Sequence, residues 1–452
     1  MAKVREMTSG RPLPLIFNFT LPLLLGNLLQ QTYSLADAAI VGNTLGINHL
    51  AAIGASSSVI FLILGFCNGC AGGFSIPIAQ NFGARDYPTM RKFINNSLRL
   101  TLVLSVVLAC MTGLLCADIL HWMRTPELIF HEAWLYLLIT FIGIPCTFFY
   151  NLLACIIRAL GDSKTPFRFL LFSTVLNITL DVILIVGVGC GVGGAAAATV
   201  ISQGLSAWLC YRYMMRHYPI LHSGPEERPW DGRIVRGLLN MGVPMGLQFS
   251  ITAIGSIMLQ SANNALGTSC VAAFTTSMRI KMFFICPLES LGMAMTTFCG
   301  QNFGAGQVKR IIGGLKAGIF LLLAYWLLAF LVVWFGSHAM ILCFVDASED
   351  TVIALAWQFL RITVLFYGFL GMLCLLRYSI QGMGYTHFAM LSGVSEMIAR
   401  ILVSQVAVPV WHYTAVCFGD PLAWVAACLF LGPAFTYVYH QIKRRPATAA
   451  QG

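Results

Sequence analysis

The chain has 452 residues, of which 58% are hydrophobic and only 10% are charged, and its mean hydropathy is +0.80. A soluble protein of this length needs more charge on its surface, so the composition excludes an ordinary soluble enzyme and predicts a polytopic membrane protein. The net charge is +10. We attribute it to membrane topology and not to nucleic-acid binding, because the basic residues are unevenly divided between the loops.

Twelve apolar stretches are each long enough to cross about 30 Å of hydrocarbon as a helix. In the first half of the chain they are residues 13–38, 50–80, 92–117, 131–157, 166–188 and 193–214. In the second half they are residues 235–262, 268–300, 311–337, 351–376, 386–411 and 415–440. The fold class predicted is therefore an all-α membrane protein with twelve transmembrane helices.

The longest polar connection, residues 217–233, lies in the middle of the chain. It predicts an amino-terminal six-helix lobe at 1–216, a cytoplasmic linker at 217–233 and a carboxy-terminal six-helix lobe at 234–452. The first residues lack the apolar core and small-residue cleavage site of a signal peptide, so we expect the first span to be retained.

Basic residues mark one side of the membrane. Most of the 27 Lys and Arg residues, Arg377 among them, fall on the side of both termini, whereas the opposite loops contain only Arg124. The positive-inside rule then places both termini in the cytoplasm. We expect a multi-pass protein of the plasma (inner) membrane.

The two halves of the chain repeat one pattern. The QNFGA sequence at 80–84, after the second span, recurs at 301–305, after the eighth, and Pro22 and Pro244 are separated by nearly the same interval. Each half has an even number of spans, so both enter the membrane in the same sense. This predicts two pseudo-symmetric six-helix bundles related by an axis along the membrane normal, with the substrate cavity at their interface.

Asp37 and Asp181 lie within predicted spans, where an ionisable group is costly and therefore a functional-site hypothesis. At 1.5 Å of rise per residue, Asp37 is near the outer end of the first span and Asp181 is about 24 Å along the fifth. Thr199 is about 9 Å from the outer end of the sixth span. Asn177 precedes Asp181 by one helical turn and adds an amide oxygen on the same face.

Such an oxygen-rich pocket suits a hard cation such as sodium. It equally suits a proton carrier, because desolvation and mutual repulsion of the carboxylates favour protonation of one of them. A third reading is a purely structural set of hydrogen bonds between helices. The predicted cation-coupling residues, which would also be the ligands of a sodium ion, are Asp37, Asn177, Asp181 and Thr199.

The corresponding part of the second half carries Glu396 and Arg400, four residues apart in the eleventh span. A carboxylate and a guanidinium at this spacing should pair, so we predict an internally neutralised lobe and a coupling site in the first lobe only. Arg361, about 15 Å from the outer end of the tenth span, is a candidate third member. Lys281 and Glu289 in the eighth span either line the substrate cavity or pair locally. If Lys281 and Arg361 face an open cavity, anionic or zwitterionic substrates are favoured.

Four features together resemble one known family. The twelve spans, the two QNFGA turns, the LADAAIVG segment at 35–42 and the RALGDSKTP loop at 158–166 look like those of the multidrug and toxic compound extrusion (MATE) transporters. The resemblance covers nearly the whole chain. It implies a secondary transporter that exports drugs and other small amphiphilic compounds in exchange for protons or sodium by alternating access.

The resemblance also implies residue roles. The four predicted coupling residues match the amino-terminal cation site of the branch named for a DNA-damage-inducible protein (DinF-like), and Tyr33 matches its polar cavity wall. The sodium-linked branch named for norfloxacin export has a carboxylate eight residues after the seventh-span proline, where this chain has Thr252. A carboxy-terminal coupling site of that kind is therefore not expected. The candidate substrate-cavity residues are Gln30, Tyr33, Lys281, Glu289 and Arg361.

Other function classes stay open on the sequence. A flippase for a lipid-linked sugar or cell-wall precursor shares the two-lobe plan, and exposed basic residues in a wide cavity would favour it. An intramembrane enzyme is disfavoured, since the chain has no HExxH motif, no paired-aspartate protease pattern and no GxxxxGK[ST] phosphate loop. A passive channel is disfavoured because it needs no buried titratable pair. We expect a small-molecule substrate, a lipid bilayer around a functional monomer, and neither a cofactor nor a nucleic-acid partner.

Overall fold

The computed structural model describes residues 6–123 and 125–444, without the side chains of residues 47, 48, 50 and 55. Helices dominate this described part, which contains no strand. Four basic residues used in the charge comparison, Lys3, Arg5, Arg124 and Arg445, lie outside it, as do both chain termini.

The first six spans are long helices, and two of them are interrupted. They are Pro12–Leu45, Ile47–Gly83, Tyr87–Leu114, the bent pair Glu127–Ile142 and Ile144–Ala159, Lys164–Asp181 with a π-helical turn at Val182–Gly187, and Gly191–His217. The fourth span bends by 47° after Gly143, where Pro145 cannot donate a helical hydrogen bond. A short helix, Cys116–Trp122, precedes it.

The second six spans repeat this arrangement. They are Gly232–Asn264, Thr268–Gly304, Val308–Leu342, the bent pair Asp350–Leu365 and Tyr367–Gly382, Thr386–Leu402 with a π-helical turn at Val403–Ala407, and Val408–Arg444. The tenth span bends by 49°, as the fourth does by 47°. The helical stretch from Thr386 to Arg444 is too long for one crossing, and it breaks at His412, where φ is 48° and ψ is −132°. The prediction of an all-α protein with twelve membrane spans is confirmed.

Packing divides the chain into two compact units whose boundaries fall inside helices. Among the described residues, the amino-terminal unit contains Leu25–Gly246, and the carboxy-terminal unit contains Met7–Leu24 and residues 247–444. Each boundary lies two residues beyond a proline, Pro22 in the first span and Pro244 in the seventh. A proline removes one helical hydrogen bond and weakens the helix locally. The predicted lobes, which keep each of these helices whole, stay a prediction.

Within the amino-terminal unit, the start of the seventh span packs directly on the second. A Cβ atom on Gly69 would lie 2.5 Å from the carbonyl oxygen of Met245, and one on Gly73 would lie 2.5 Å from the Cα of Gly242. Gly246 lies equally close to second-span side chains. The two helices therefore meet through paired GxxxG sequences, which let backbones approach closely.

The linker between the sixth and seventh spans folds onto the amino-terminal unit. Arg91 donates through Nε and Nη2 to the carboxylate of Glu227 at 2.7 and 2.6 Å, and Asn95 donates to the carbonyl oxygen of Glu227 at 3.0 Å. The hydroxyl of Tyr218 donates to Asp162 at 2.7 Å. These hydrogen bonds fix the linker to the ends of the third and fourth spans.

Candidate cation-coupling site

The four predicted coupling residues come together inside the amino-terminal unit. Asn177 and Asp181 of the fifth span are 2% and 0% exposed, and Asp37 of the first span and Thr199 of the sixth are half-buried. Asp181 is the last residue before the π-helical turn. Such turns are rare and often mark functional sites, because the widened helix displaces side chains from their regular positions.

Asn177 joins the cluster by hydrogen bonds. When its amide is oriented to satisfy both ends, the nitrogen donates to Asp181 Oδ2 at 3.0 Å and to the Tyr33 hydroxyl at 3.1 Å. The oxygen accepts from the backbone nitrogen of Thr199 at 3.1 Å. The hydroxyls of Tyr33 and Thr199 are 3.2 Å apart. The first, fifth and sixth spans are thus connected through one amide.

Each of the two carboxylates keeps one oxygen without a protein partner. Oδ1 of Asp37 and Oδ1 of Asp181 are buried, and neither accepts a hydrogen bond from the residues that the structure describes. The two carboxylates interact electrostatically with each other. A buried charged oxygen is costly unless a proton or a cation compensates it. The arrangement can therefore bind a proton, or a sodium ion between oxygens of different helices.

Tyr136, in the first half of the bent fourth span, is a member of the cluster that the sequence did not predict. It packs against a small apolar group that contains Val41, Ile185 and Ala195. Its hydroxyl lies close enough to both aspartates to interact with them electrostatically. A single tyrosine in an apolar span gives no sequence signal, because tyrosine is also a common packing residue.

The carboxy-terminal unit contains a different arrangement of charges. Arg400 Nη2 lies 3.4 Å from Glu396 Oε2, and Arg400 Nε donates to Asp420 Oδ1 at 2.8 Å. Glu396 is also ion-paired with Arg377, and Asp420 with Lys281. All five residues are less than 9% exposed. The network joins the eighth, tenth, eleventh and twelfth spans.

Two sequence interpretations change here, and the structure selects one of the two readings of Lys281. Lys281 pairs locally and does not lie on an open surface, since it is 2% exposed. Arg377, counted with the cytoplasmic loops, is buried in the tenth span. Arg361 does not join Glu396 and Arg400.

Arg361 instead lies between two indole rings. Its guanidinium carbon is 4.3 Å from the ring centroid of Trp334 and 3.7 Å from that of Trp357. Its Nη2 also donates to the carbonyl oxygen of Trp334 at 2.9 Å. Cation–π stacking on two rings stabilises a guanidinium within a span without a carboxylate.

The other substrate-cavity candidates lie at separate places. Tyr33 is part of the coupling cluster, and Gln30 is exposed on the same helix. Glu289 is exposed on the eighth span, and among the described residues it has no ion pair. Its charge interacts with that of Arg377.

Comparison with known proteins identifies the family. The MatE family model matches residues 22–183 and again residues 244–406, which confirms the predicted repeat. The chain is 31% identical over 369 residues to the probable multidrug resistance protein YpnP of Bacillus subtilis (strain 168), covering 82% of each chain. It is 29% identical to the probable multidrug resistance protein YoeA of the same organism, covering 93% of each.

A solved structure has the same fold over nearly the whole chain. The outward-facing conformation of a multidrug resistance MATE family transporter of the MOP superfamily superposes with a TM-score of 0.91 at 22% identity, covering 97% of this chain and 98% of that one. Three comparisons agree on one family: the family model matches twice, the relatives are similar along most of the chain, and the fold is the same. The chain belongs to the multidrug and toxic compound extrusion (MATE) family of membrane transporters.

Proposed function

We propose that this MATE protein exports small amphiphilic organic compounds in exchange for protons or sodium ions that bind at Asp37, Asn177, Asp181 and Thr199. The main support is the pair of buried carboxylate oxygens that have no partner among the described residues. The names of the relatives, which are multidrug resistance proteins, support the substrate class.

The chemistry of coupling follows from the geometry of the cluster. A proton on Asp181, or a sodium ion beside it, removes the cost of a buried unpartnered charge. The change reaches two other spans, since Asn177 binds Asp181, Tyr33 and Thr199 together. An ion drives transport only to the extent that it binds one arrangement of the protein more tightly than the other. The cluster supplies this difference if its helices separate or repack in one of the two arrangements.

Only the amino-terminal unit is proposed to carry the coupling ion. The buried carboxylates of the carboxy-terminal unit, Glu396 and Asp420, are already paired with three basic side chains. A proton or a sodium ion would have to displace one of these bases. We therefore expect the coupling ion to bind much less tightly in the carboxy-terminal unit.

The orientation of the chain is part of the proposal. We place the protein in the plasma (inner) membrane as a monomer, and the distribution of its basic residues supports cytoplasmic termini. Cations then enter from outside, down their gradient, as substrate leaves the cell. No cofactor takes part.

Efflux from liposomes tests the proposal. The purified protein is reconstituted with a fluorescent cationic dye, and efflux is measured under an imposed proton gradient and then under a sodium gradient. We expect one of the two gradients to drive efflux, and Asp37→Asn and Asp181→Asn to abolish that dependence. Asp118→Asn, which changes an exposed carboxylate in the short helix before the fourth span, is the matched control. Wild-type efflux that ignores both gradients, or survives both substitutions, would refute the antiporter.

A further inference from the structure

The two bases of the tenth span differ in their partners. Arg377 is ion-paired with Glu396, whereas Arg361 belongs to no ion pair in the part of the chain that the structure describes. The rings of Trp334 and Trp357 stabilise the charge of Arg361 but do not neutralise it. A base within a membrane span is costly, and its compensating partner has to be identified. For Arg361 the described residues supply no negative partner.

The stacking on two rings leaves the edge of the Arg361 guanidinium to form hydrogen bonds. The N–H groups of a guanidinium lie in its plane, so rings on its faces do not occupy them. Nη2 donates to the carbonyl oxygen of Trp334 at 2.9 Å, and Nε is buried without an acceptor among the described residues. A rigidly held guanidinium with unused donors is suited to the bidentate recognition of phosphate.

Both indole rings lie at the level where the hydrocarbon meets the lipid headgroups. The ninth span, Val308–Leu342, is 35 residues long, or about 52 Å, and it exceeds the hydrocarbon by about 11 Å at each end if it is centred. Trp334 is about 12 Å from the Leu342 end, and Trp357 is about 10 Å from Asp350 at the start of the tenth span. Tryptophan is enriched at this boundary.

The side chain of Arg361 extends towards this boundary. Its guanidinium stacks on Trp357, which is one helical turn nearer the start of the span. Beside it, the ninth span presents Leu331 and Phe335, which are 45% and 80% exposed. Exposed apolar side chains on a membrane helix face acyl chains. The base therefore reaches headgroup level beside a lipid-facing surface.

The acidic residues at the start of the tenth span are too distant to compensate Arg361. Glu349 and Asp350 are about 16 Å from its backbone along the axis. After the side chain has extended by one turn, the separation still exceeds the Debye length of about 8 Å at physiological salt. These carboxylates therefore neither neutralise the guanidinium nor strongly repel a phosphate bound to it.

We propose that Arg361, Trp334 and Trp357 bind the phosphate group of an anionic glycerophospholipid such as phosphatidylglycerol. The guanidinium donates to the phosphate oxygens, and the acyl chains lie along Leu331 and Phe335. A headgroup without a cation is favoured, because it leaves a net negative charge to compensate Arg361. In the orientation proposed above, the lipid belongs to the outer leaflet. The site itself depends neither on that orientation nor on ion coupling.

Native mass spectrometry of the full-length protein in detergent tests the assignment. The protein is titrated with phosphatidylglycerol and with phosphatidylcholine that has the same acyl chains. We expect the wild type to bind phosphatidylglycerol more tightly. Arg361→Met should weaken one phosphatidylglycerol site about tenfold and leave phosphatidylcholine unchanged, because a charge-assisted hydrogen bond is lost.

Three variants control for other effects. Arg361→Lys keeps the charge but not the planar fork, so it should keep the preference at lower affinity. Trp357→Leu removes one ring and should also weaken phosphatidylglycerol binding. Arg233→Met removes an exposed base at the start of the seventh span and should leave the site unchanged. Melting temperatures show whether each variant stays folded.

Three outcomes would overturn the proposal. In the first, a folded Arg361→Met protein keeps the wild-type difference between the two lipids, so that Arg361 only stabilises the packing of its helices. In the second, this variant loses affinity for both lipids equally. In the third, glycerol phosphate, which has no acyl chains, displaces phosphatidylglycerol at equal concentration, so that the site takes free phosphate esters and not a lipid.

Discussion

The side-chain oxygen of Asn177 lies 3.1 Å from the backbone nitrogen of Thr199, which fastens the fifth span to the sixth. The nitrogen of the same amide donates to Asp181. A change of charge on that carboxylate therefore alters a hydrogen bond that holds another helix. Binding of either cation at Asp181 would therefore affect the contact between the fifth and sixth spans.

Thr199→Val should slow gradient-driven efflux severalfold, although less than Asp181→Asn does. The substitution removes a hydroxyl shared by Tyr33 and Asn177 but keeps the size of the side chain. Thr199→Ser restores the hydroxyl and should transport nearly as the wild type does. Efflux rates from liposomes under the driving gradient provide the measurement. Equal rates for the valine and serine variants would show that the hydroxyl has no part in coupling.

Gly73→Ala should impair both folding and transport. Its new Cβ atom would lie 2.5 Å from the Cα of Gly242 and 2.6 Å from the carbonyl oxygen of Met241, so the seventh span would have to move. Gly54→Ala on the same helix is the matched control, because a Cβ atom there meets nothing within 4 Å. Yield of monodisperse protein and melting temperature distinguish the two. Similar values for both variants would contradict the close approach of the two helices.

Glu396→Gln should destabilise the carboxy-terminal unit by about 3–5 kcal/mol, because Arg377 would lose its buried carboxylate. The double variant Arg377→Met with Glu396→Gln should recover part of the loss, since Arg400 keeps Asp420. Unfolding experiments in detergent measure the stability of the single and the double variant. A double variant that is less stable than the single one would argue against this account of the network.

The linker should loosen in acid. The hydrogen-bonded guanidinium of Arg91 holds the pKa of Glu227 below its usual range. Because the folded-state pKa is the lower one, the stabilisation is present above the ordinary pKa of about 4.3. It is lost as the pH falls through the folded-state value. Amide-exchange protection of residues 218–231 should drop over that range.

Glu227→Gln tests the cause of this pH dependence. It should lower protection of the linker at neutral pH and remove the drop in acid, while Glu226→Gln, its neighbour outside the ion pair, should leave both unchanged. Efflux should change little in either variant, because neither residue contacts the coupling cluster. A linker whose protection is the same in both variants would place the restraint elsewhere.

The coupling cluster was predictable because its two carboxylates stand in apolar runs and their depth follows from helical rise. Asp420 also lies in an apolar run, that of the twelfth span, but depth alone does not reveal that it belongs to an ion-pair network. Its partner, Lys281, depends on how the eighth and twelfth helices are rotated about their axes. Periodicity within one span contains no information on that rotation.

The positions of helix boundaries explain the remaining differences between the sequence predictions and the structure. The apolar window ends beside Arg377 and so predicts a position near a loop, yet the helix continues to Gly382. The division of the first and seventh spans between two packing units has no signature in hydropathy. The GxxxG pairs at Gly69 and Gly73 and at Gly242 and Gly246 were the available signal, since such glycines mark close helix contacts.

Each packing unit includes part of a helix from the other half of the sequence. This bears on whether the chain could be expressed as two fragments. A fragment that stops in the linker would lack residues 232–246, against which Gly69 and Gly73 pack. The complementary fragment would lack Met7–Leu24, which belongs to its own packing unit. Neither fragment would contain all the residues of its packing unit. Each fragment would therefore lack residues that the other contains, although the two halves of the sequence are repeats of one another.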